Sequence, residues 1–424
     1  MNALPDTRFW PFVEYEARFL LWWGLLGFLC RLGSRRQLDF ELRDLETQVL
    51  ANLNALAQSA QKTLPVHKTL AHYLGHVGPE PIERLRAQMV RRLVRQKVFD
   101  AHRLLGRLVV ACDGSGHLSF RRRHCPDCLT AEHEHGTYYY HKVCEAKLVT
   151  RSGLALSIGT EFHDNRLRQK GEPQAEELGA FARLAEQLHA HYPQTPLCIA
   201  GDSLYACGAV LTICKTHRWA YVLTFKPKHM PAVWREFQSL LKLCPDQKRC
   251  AVLPDRTTQE FRWVHDLEYT DDEGRTHRFH AIQCVETAPD GSQRTFAWIT
   301  NLPVNPDTVI AIAQQGGRDR WKIENEGFNV QKNDGYELEH AYGRSAQTLR
   351  CFYLLLQIAH LIGQLLAKGS LLQRAAAACG GPVRSVYGSW GNLARRLLDA
   401  LRFTLIPAAA HTPTDRIQIR LDSG

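Results

Sequence analysis

Three acidic residues of this 424-residue chain stand where carboxylates could act together. Asp113 follows the apolar run RLVVAC and Asp202 follows PLCIAG, each beside a glycine, while Glu324 lies in RDRWKIENEGFN. Side chains at the ends of neighbouring strands gather at one edge of an α/β sheet. Several carboxylates in one place suit Mg²⁺ or Mn²⁺, and two such ions about 4 Å apart can activate an oxygen nucleophile for attack on a phosphodiester. The alternative for each aspartate alone is a helix cap or turn residue.

Only one of the two glutamates in RDRWKIENEGFN can serve such a site. On an α-helix Glu324 and Glu326 point about 160° apart. Glu324 shares its half of the helix with Ile323 and Phe328, and a charged group in that apolar arc needs a cation beside it. Arg320 lies one turn back and could supply one. A buried ion pair and a metal ligand therefore both stay open for Glu324, and we expect Glu326 to face solvent.

The elements that would position these residues indicate an α/β sheet. Apolar, β-branched runs near Asp113, near Asp202 and from Trp219 predict buried strands, with further strands at YYYHKVCEAKLVT and GLALSIGTEF. Helices are predicted across PQAEELGAFARLAEQLHAHY and from Ala206 to His217. Between Lys226 and Trp298 the short alternating segments predict a β-rich insertion rather than more of the same sheet.

Charge favours a polyanionic partner. Lys and Arg outnumber Asp and Glu by 53 to 43, a formal net charge of +10, which is typical of proteins that bind nucleic acid. Ile82 to Arg107 predicts a basic amphipathic helix on which Arg91, Arg92 and Arg95 are candidates for phosphate contact. The alternative is an ordinary solvated cationic face.

Thirteen scattered cysteines and an N-terminus without a secretory signal predict reduced thiols in a cytoplasmic protein. The apolar run from Phe19 to Cys30 is 12 residues long, whereas a membrane-spanning helix needs about 20. We therefore expect a buried helix there and no membrane association.

A second group of candidate ligands lies in HCPDCLTAEHEHGTYYYHKVC. Cys125 and Cys128 form a CxxC pair, and His133 and His135 follow within a few residues, with His141 and Cys144 further along. Two thiolates and two imidazoles can build a tetrahedral zinc site. The pattern predicts one structural Zn²⁺ held by Cys125, Cys128, His133 and His135; the alternative is a surface loop whose thiols and imidazoles are unlinked.

The segments ACDGSG, IAGDSLYACG and RDRWKIENEGFN together resemble the three motifs of the DDE transposases of bacterial insertion sequences. In that cut-and-paste group a ribonuclease-H-like core carries a β-strand insertion between the second Asp and the Glu. The resemblance spans roughly residues 70 to 370. It implies that Asp113, Asp202 and Glu324 are the catalytic, metal-binding triad for two Mg²⁺ or Mn²⁺ ions, and that Glu326 is not part of it.

The same group has a Tyr, Arg, Glu and Lys signature that holds DNA-end phosphates. Arg320 matches its arginine, but Gly317 stands at the tyrosine position and Gln331 at the lysine position, with Lys332 adjacent. The resemblance also implies DNA contacts by Lys332 and, in NDGYELEHAYGR, by Tyr336, His340 and Tyr342.

In the β-rich stretch, Trp263 and His265 are candidates for stacking on an unpaired base. A place for Trp263 in the core is the alternative. Trp298, which alternates into a strand, is expected in the core.

The element pattern predicts an α/β protein, and the resemblance implies that it has a ribonuclease-H-like mixed sheet with helices on both faces, a β-rich insertion and flanking helical regions. The expected order is a helical DNA-binding region at 1–105, the first part of the core at 106–225, the insertion at 226–299, the rest of the core with Glu324 at 300–370, and a helical region at 371–424.

The expected function is a Mg²⁺-dependent transposase that binds the terminal inverted repeats of its element, cuts DNA and joins it to target DNA, working as a homodimer on DNA. Two alternatives stay open. The first is a metal-dependent nuclease that cuts without joining, and the second is a catalytically silent DNA-binding protein.

Overall fold

Ten strands in the described part of the chain pair into one mixed sheet. The computed structural model describes residues 6, 8, 11, 13–43, 46–134, 136–164, 176–406 and 419–421. The strands are β1 (Leu108–Phe120), β2 (Leu129–His133), β3 (Gly136–Val149), β4 (Ala155–Phe162), β5 (Leu197–Gly201), β6 (Ala220–Thr224), β7 (Lys248–Val252), β8 (Thr258–Thr270), β9 (Thr276–Thr287) and β10 (Gln293–Thr300).

The strand order is β2-β3-β1-β5-β6-β10-β9-β8-β7, with β4 also paired to β3. The three central strands β1, β5 and β6 run parallel, and the strands on both sides of them are antiparallel to their neighbours. The sheet is therefore mixed, as the sequence predicted.

The strands after β6 correct one expectation. They were predicted as a separate insertion, but β10 pairs antiparallel with β6, matching Trp298 with Thr224, and so continues the same sheet. The region also begins with a helix from Pro231 to Leu243, whose buried residues include Val233 and Phe237, four positions apart. The reason for the error is physical: alternation shows that a segment is a strand, but the open edge of β6 decides which sheet it joins.

Helices cover both faces of the sheet. On one face Val109, Ala111 and Ala200 pack with the N-terminal helices and the long apolar helix near residue 355; on the other, Val110 and Ile199 pack with the helices between β4 and β6 and the one after β6. The helices are α1 (Ala17–Leu29), α2 (Arg35–Arg43), α3 (Glu46–Ala57), α4 (His67–Val77), α5 (Pro79–Arg95), α6 (Glu177–His191), α7 (Gly208–Thr216), α8 (Pro231–Leu243), α9 (Val309–Ala311), α10 (Val330–Asn333), α11 (Ala346–Lys368), α12 (Ser370–Ala378), α13 (Val383–Tyr387) and α14 (Trp390–Phe403).

Two apolar helices form the interior of one face. The run from Phe19 to Cys30 forms α1, which is buried as predicted. α11 begins at a capping box in which the Ser345 hydroxyl accepts a hydrogen bond from the Thr348 N–H at 3.2 Å. By length and composition α11 could cross a membrane, but 78% of its most apolar window is buried inside the protein.

The segment that carries Glu324 is helical but is not one α-helix. Between α9 and α10 it passes through a π-helix (Ile312–Gly317), a 3₁₀ turn (Arg318–Trp321) and a second π-helix (Ile323–Asn329). The expectation of a regular α-helix was wrong here. A β-carbon on Gly317 would lie 2.4 Å from the Trp298 ring, so no tyrosine fits at that position with this close approach to the sheet.

Candidate active site

Asp113 and Asp202 lie side by side where two parallel strands end. In the register of β1 and β5, Ala111 is paired with Ala200. Asp113 follows Ala111 by two residues, and Asp202 follows Ala200 by two residues. Because side chains alternate between the faces of a sheet, this spacing sends both carboxylates to the same face. Each is fixed locally: Asp113 Oδ1 accepts from the Gly114 N–H at 2.9 Å, and Asp202 Oδ1 from the Leu204 N–H at 2.8 Å.

Glu324 reaches this pair from the second π-helix, which packs against β1, β3 and β4. Its side chain is 45% exposed, and Oε1 accepts a hydrogen bond from Arg320 Nη1 at 2.8 Å. The ion pair, one of the two alternatives left open by the sequence, is therefore present, and Glu324 also lies close enough to Asp113 for its charge to raise the pKa of that carboxyl. Arg320 itself is buried, and its Nε has no hydrogen-bond partner among the described residues.

The electrostatics of Asp113 show that the carboxylates interact. Burial, followed by the negative charge of Glu324, raises the pKa of Asp113 to about 7, with Arg320 opposing the shift and Glu177 and Asp202 adding to it. Crowded carboxylates raise the pKa of one of their members in this way. Near neutral pH the group therefore lacks positive charge to offset its carboxylates. A divalent cation would supply that charge.

Sequence reasoning missed a neighbouring cluster. Glu177, in the first turn of α6, lies over Gly114, where a β-carbon would be 2.2 Å from its Oε2. The same carboxylate accepts hydrogen bonds from Lys142 Nζ at 2.6 Å and from the Tyr205 hydroxyl at 3.0 Å. The glycine after Asp113 makes room for this fourth carboxylate, but nothing in the spacing of Glu177 along the chain points to the site.

A buried ionic network supports the site from within the sheet. The Lys147 ammonium lies 3.3 Å from Glu145 Oε2 and donates to Gln357 Oε1 at 2.8 Å, and both charged side chains are fully buried. Glu145 is paired with Asp113 in the register of β3 and β1. A β-carbon on Gly327 would meet Lys147 at 2.9 Å, so this network also underlies the helix that presents Glu324.

Glu326 is directed elsewhere, as predicted, but it is half-buried rather than fully exposed. Its carboxyl carbon lies near Gly153, in the turn between β3 and β4, and it lines a small cavity together with Lys368 and Gln364. It does not contribute to the electrostatics described for Asp113.

In the second group of candidate ligands, the described residues bring His141 to the two predicted cysteines. Cys125 Sγ and Cys128 Sγ lie 3.8 Å apart, and His141 Nε2 is 3.4 Å and 3.5 Å from them. His124, Cys125 and His141 hold ligand atoms within 4.8 Å of one another. Of the two predicted histidines, His135 lies outside the described residues, and His133 is described only by its place in β2.

The predicted DNA contacts have mixed surroundings. Lys332 is partly exposed and pairs with Glu339 at 2.9 Å, and His340 is exposed. Tyr336 and Tyr342 are buried. Trp263 is 2% exposed and lies in the core, which was the alternative to base stacking for this residue. Trp298 is buried as expected. In this conformation Tyr336, Tyr342 and Trp263 offer no surface to DNA.

Two other surfaces keep exposed groups. Arg92 and Arg95 on α5 are exposed and Arg91 is partly so, and none of the three makes an ion pair with a described residue. Trp321, between Arg320 and Lys322 and three residues from Glu324, is 53% exposed. An exposed indole offers a flat face on which a nucleic-acid base can stack, and the sequence analysis did not single it out.

The arrangement thus offers oxygen ligands for hard divalent cations, with an aromatic surface nearby. No protein-family model matches the chain, and comparison with curated proteins likewise gives no match.

Proposed function

We propose that this protein is a DNA transposase that cuts DNA at the ends of its element and joins the freed 3′-hydroxyl to target DNA with the help of two Mg²⁺ or Mn²⁺ ions. One observation carries the proposal: Asp113 and Asp202 end adjacent parallel strands on one face, and Glu324 reaches them from the helix packed over that face. Two ions held by carboxylates in such a place activate the attacking oxygen and stabilise the leaving one.

The strand order supports a ribonuclease-H-like core. Starting from β4, the order β4-β3-β1-β5-β6 places two antiparallel strands, β4 and β3, beside the three parallel strands β1, β5 and β6. α6 and α7 connect β4 to β5 and β5 to β6. In such a core β1, which carries Asp113, would be the first strand along the chain. β5, which Asp202 follows, would be the fourth, after β3 and β4.

Charge and exposure support DNA as the substrate. The net charge is +10, and Arg91, Arg92 and Arg95 present cationic groups that attract phosphates. Trp321 would stack on a base displaced near the cleavage point. Joining needs two ends held together, so we propose a homodimer on DNA, acting in the cytoplasm.

In this proposal Asp113, Asp202 and Glu324 hold the catalytic cations, and Arg320 orients Glu324. Lys332 and His340 would contact flanking phosphates. A zinc ion at Cys125 and Cys128 would have no part in the reaction, because their neighbour His141 lies four residues along β3 from Glu145, a distance of about 13 Å.

The test uses pre-cut DNA ends with a free 3′-hydroxyl, taken from the DNA that flanks the gene, together with a supercoiled plasmid and Mg²⁺. We expect joined product from the wild type, loss of joining by at least about 10³-fold in Glu324→Gln, and near wild-type joining in the matched control Glu326→Gln. Cleavage without joining would indicate a nuclease. Equal activity of the two variants would refute the triad.

The Arg320–Glu324 ion pair favours one second candidate, a DNA-binding protein without catalysis. An arginine that already neutralises Glu324 competes with a metal ion for that carboxylate. If the wild type binds end DNA but neither cuts nor joins it in Mg²⁺ or Mn²⁺, and Asp113→Asn binds equally well, this second function replaces the first.

A further inference from the structure

We propose that Cys125, Cys128, His141 and His124 form a structural zinc site that closes the connection between β1 and β2 onto β3. The site does not depend on the proposed DNA chemistry. It rests on the geometry of the three closest ligands, on the surroundings of the fourth, and on a buried ion pair that the loop makes with α11.

The three closest ligand atoms have the spacing of a zinc tetrahedron. Ligands at about 2.3 Å for sulfur and about 2.0 Å for nitrogen, in tetrahedral directions, lie about 3.8 Å apart for two sulfurs and about 3.5 Å apart for sulfur and nitrogen. The observed distances are 3.8 Å between the thiols of Cys125 and Cys128, and 3.4 Å and 3.5 Å from these thiols to His141 Nε2.

The local backbone explains how these residues meet. The Cys128 N–H donates to the Cys125 carbonyl at 3.3 Å, so the CxxC segment is a tight turn that places both thiols on one side. His141 is paired with Leu118 of β1, beside a register shift between Gly116 and Leu118. The turn that follows β1 is thereby brought back over β3.

His124 supplies the fourth ligand. Its ligand nitrogen lies within 4.8 Å of Cys125 Sγ and of the ligand nitrogen of His141. Its ring stacks on Phe120 with centroids 4.5 Å apart. Its Nδ1 is buried and makes no hydrogen bond to any described residue. A buried imidazole nitrogen without a partner is costly, and a metal ion at this position would provide the partner.

The chemistry of the donor set selects the metal. Two thiolates and two imidazoles in tetrahedral array suit Zn²⁺, whereas oxygen-preferring Mg²⁺ suits the carboxylates near Asp113. Four protein ligands leave no open position for substrate, so the ion is structural. A disulfide is the other fate of a CxxC pair, but it requires sulfurs about 2.05 Å apart, and all thirteen cysteines are free thiols.

The ion would anchor more than its own loop. Asp127, between the two cysteines, is almost completely buried and pairs with Arg350 of α11 at 2.6 Å. Arg350 also pairs with Asp164, just after β4, at 3.0 Å. Zinc at the turn would therefore hold Asp127 in place against α11, which packs on the face of the sheet that carries the catalytic carboxylates.

The first experiment measures zinc in the full-length wild type, purified with a reductant, by mass spectrometry of the metal. We expect one zinc per chain, and loss of zinc to background in the double variant Cys125→Ser/Cys128→Ser. The matched control, Cys250→Ser/Cys379→Ser, removes two exposed thiols and should keep one zinc per chain. A wild type that holds no zinc as purified, and takes none up from added Zn²⁺, overturns the site.

A second set of variants tests the ligand assignment. His141→Ala and His124→Ala should each weaken zinc binding by at least about ten-fold, whereas His133→Ala should leave it unchanged. Loss of zinc in His133→Ala with full retention in His141→Ala overturns the assignment.

A third measurement needs no variant, so it remains decisive if a substitution prevents folding. Replacing zinc with Co²⁺ in the wild type should give the visible absorption of a tetrahedral ion and thiolate charge-transfer bands in the near ultraviolet, both removed by added Zn²⁺. Absence of these bands, or an intact mass showing a Cys125–Cys128 disulfide in the reductant-purified protein, contradicts the proposal.

Discussion

Two groups of potential metal ligands lie at strands β1 and β3, and they differ in how their charges are balanced in the absence of a metal. The carboxylate group around Asp113 is partly open, since Glu324 is 45% exposed, and burial, together with the negative charge of Glu324, raises the pKa of Asp113 to about 7. The Cys125–Cys128–His141 group is largely enclosed, and its members are neutral thiols and imidazole within 4 Å of one another.

The contrast teaches what each group is suited to do. An open group of hard oxygen ligands retains room for substrate oxygens around its cation, and the repulsion among its members makes binding of that cation favourable. A closed group of soft ligands fills its own tetrahedron and gains by holding the chain together. Removing members of the two groups should therefore change stability in opposite directions.

The largest effect is expected beneath the carboxylate group, at Lys147. In Lys147→Ala the fully buried Glu145 loses a cation at 3.3 Å, which should lower the free energy of unfolding by about 3 to 5 kcal/mol. The exposed pair Lys248–Glu260, joined at 2.8 Å, provides the matched control Lys248→Ala, with a much smaller loss because water screens exposed ion pairs. Denaturant unfolding measures both. Equal losses would mean that the buried Lys147–Glu145 pair contributes no more to stability than the exposed Lys248–Glu260 pair.

Asp113→Asn should stabilise the protein, and only above acidic pH. Below the unfolded-state pKa of about 4, aspartate is protonated in both states and the variant equals the wild type. As the pH rises from about 4 to the folded-state pKa of about 7, the wild type loses stability that the variant keeps, by about 4 kcal/mol at most, and the loss is complete above that pH.

Thermal unfolding at pH 4, 6 and 8 measures this difference between Asp113→Asn and the wild type. Adding Mg²⁺ at pH 8 should narrow it, because the cation binds only the ionised group. A variant less stable than the wild type at pH 8 would show that the ionised Asp113 carboxylate already makes favourable contacts in the folded protein and does not lack a cation.

Trp321→Ala should weaken binding of DNA ends by about five- to hundred-fold, the loss of one stacked base. Its indole is 53% exposed. Trp321→Phe should retain most of the affinity, and Phe40→Ala, which removes another exposed ring, should bind normally. Fluorescence anisotropy with labelled end DNA reports the affinities. An unchanged affinity in Trp321→Ala would place the bound DNA elsewhere on the protein.

The smallest effect is expected at Glu177. Its charge helps to raise the pKa of Asp113, though less than burial and Glu324 do, so Glu177→Gln should lower that pKa. The loss of stability between pH 4 and pH 8 should therefore shrink by less than about 1 kcal/mol, and Glu324→Gln should shrink it further. The neighbouring exposed Glu176→Gln serves as the control. A pH profile of unfolding unchanged by Glu177→Gln would remove this carboxylate from the group.

The parts of the fold and the site that depend on local pattern could be predicted. Apolar runs located the strands before Asp113 and Asp202, and helical phase separated Glu324 from Glu326. Phase sufficed even though the helix is partly π-helical, because two positions along such a helix still point to nearly opposite sides.

What could not be predicted depends on contacts between distant residues. Which histidine completes the Cys125–Cys128 group is decided by the pairing of β3 with β1, which brings His141 back to the turn. Glu177 joins the carboxylates because α6 crosses Gly114. The burial of Trp263 and Tyr336 likewise arises from packing against elements far along the chain.

The pairing of β10 with β6 limits how the region between residues 226 and 299 can be altered. Because β10 and β9 continue the sheet that holds both aspartates, this region is not a cassette that could be exchanged or deleted for a short linker. Its removal would leave the edge of β6 that faces β10 without hydrogen-bonding partners and invite association through that edge. Length variation should be tolerated instead at the β8–β9 hairpin turn, where Gly274 has positive φ and open space around it.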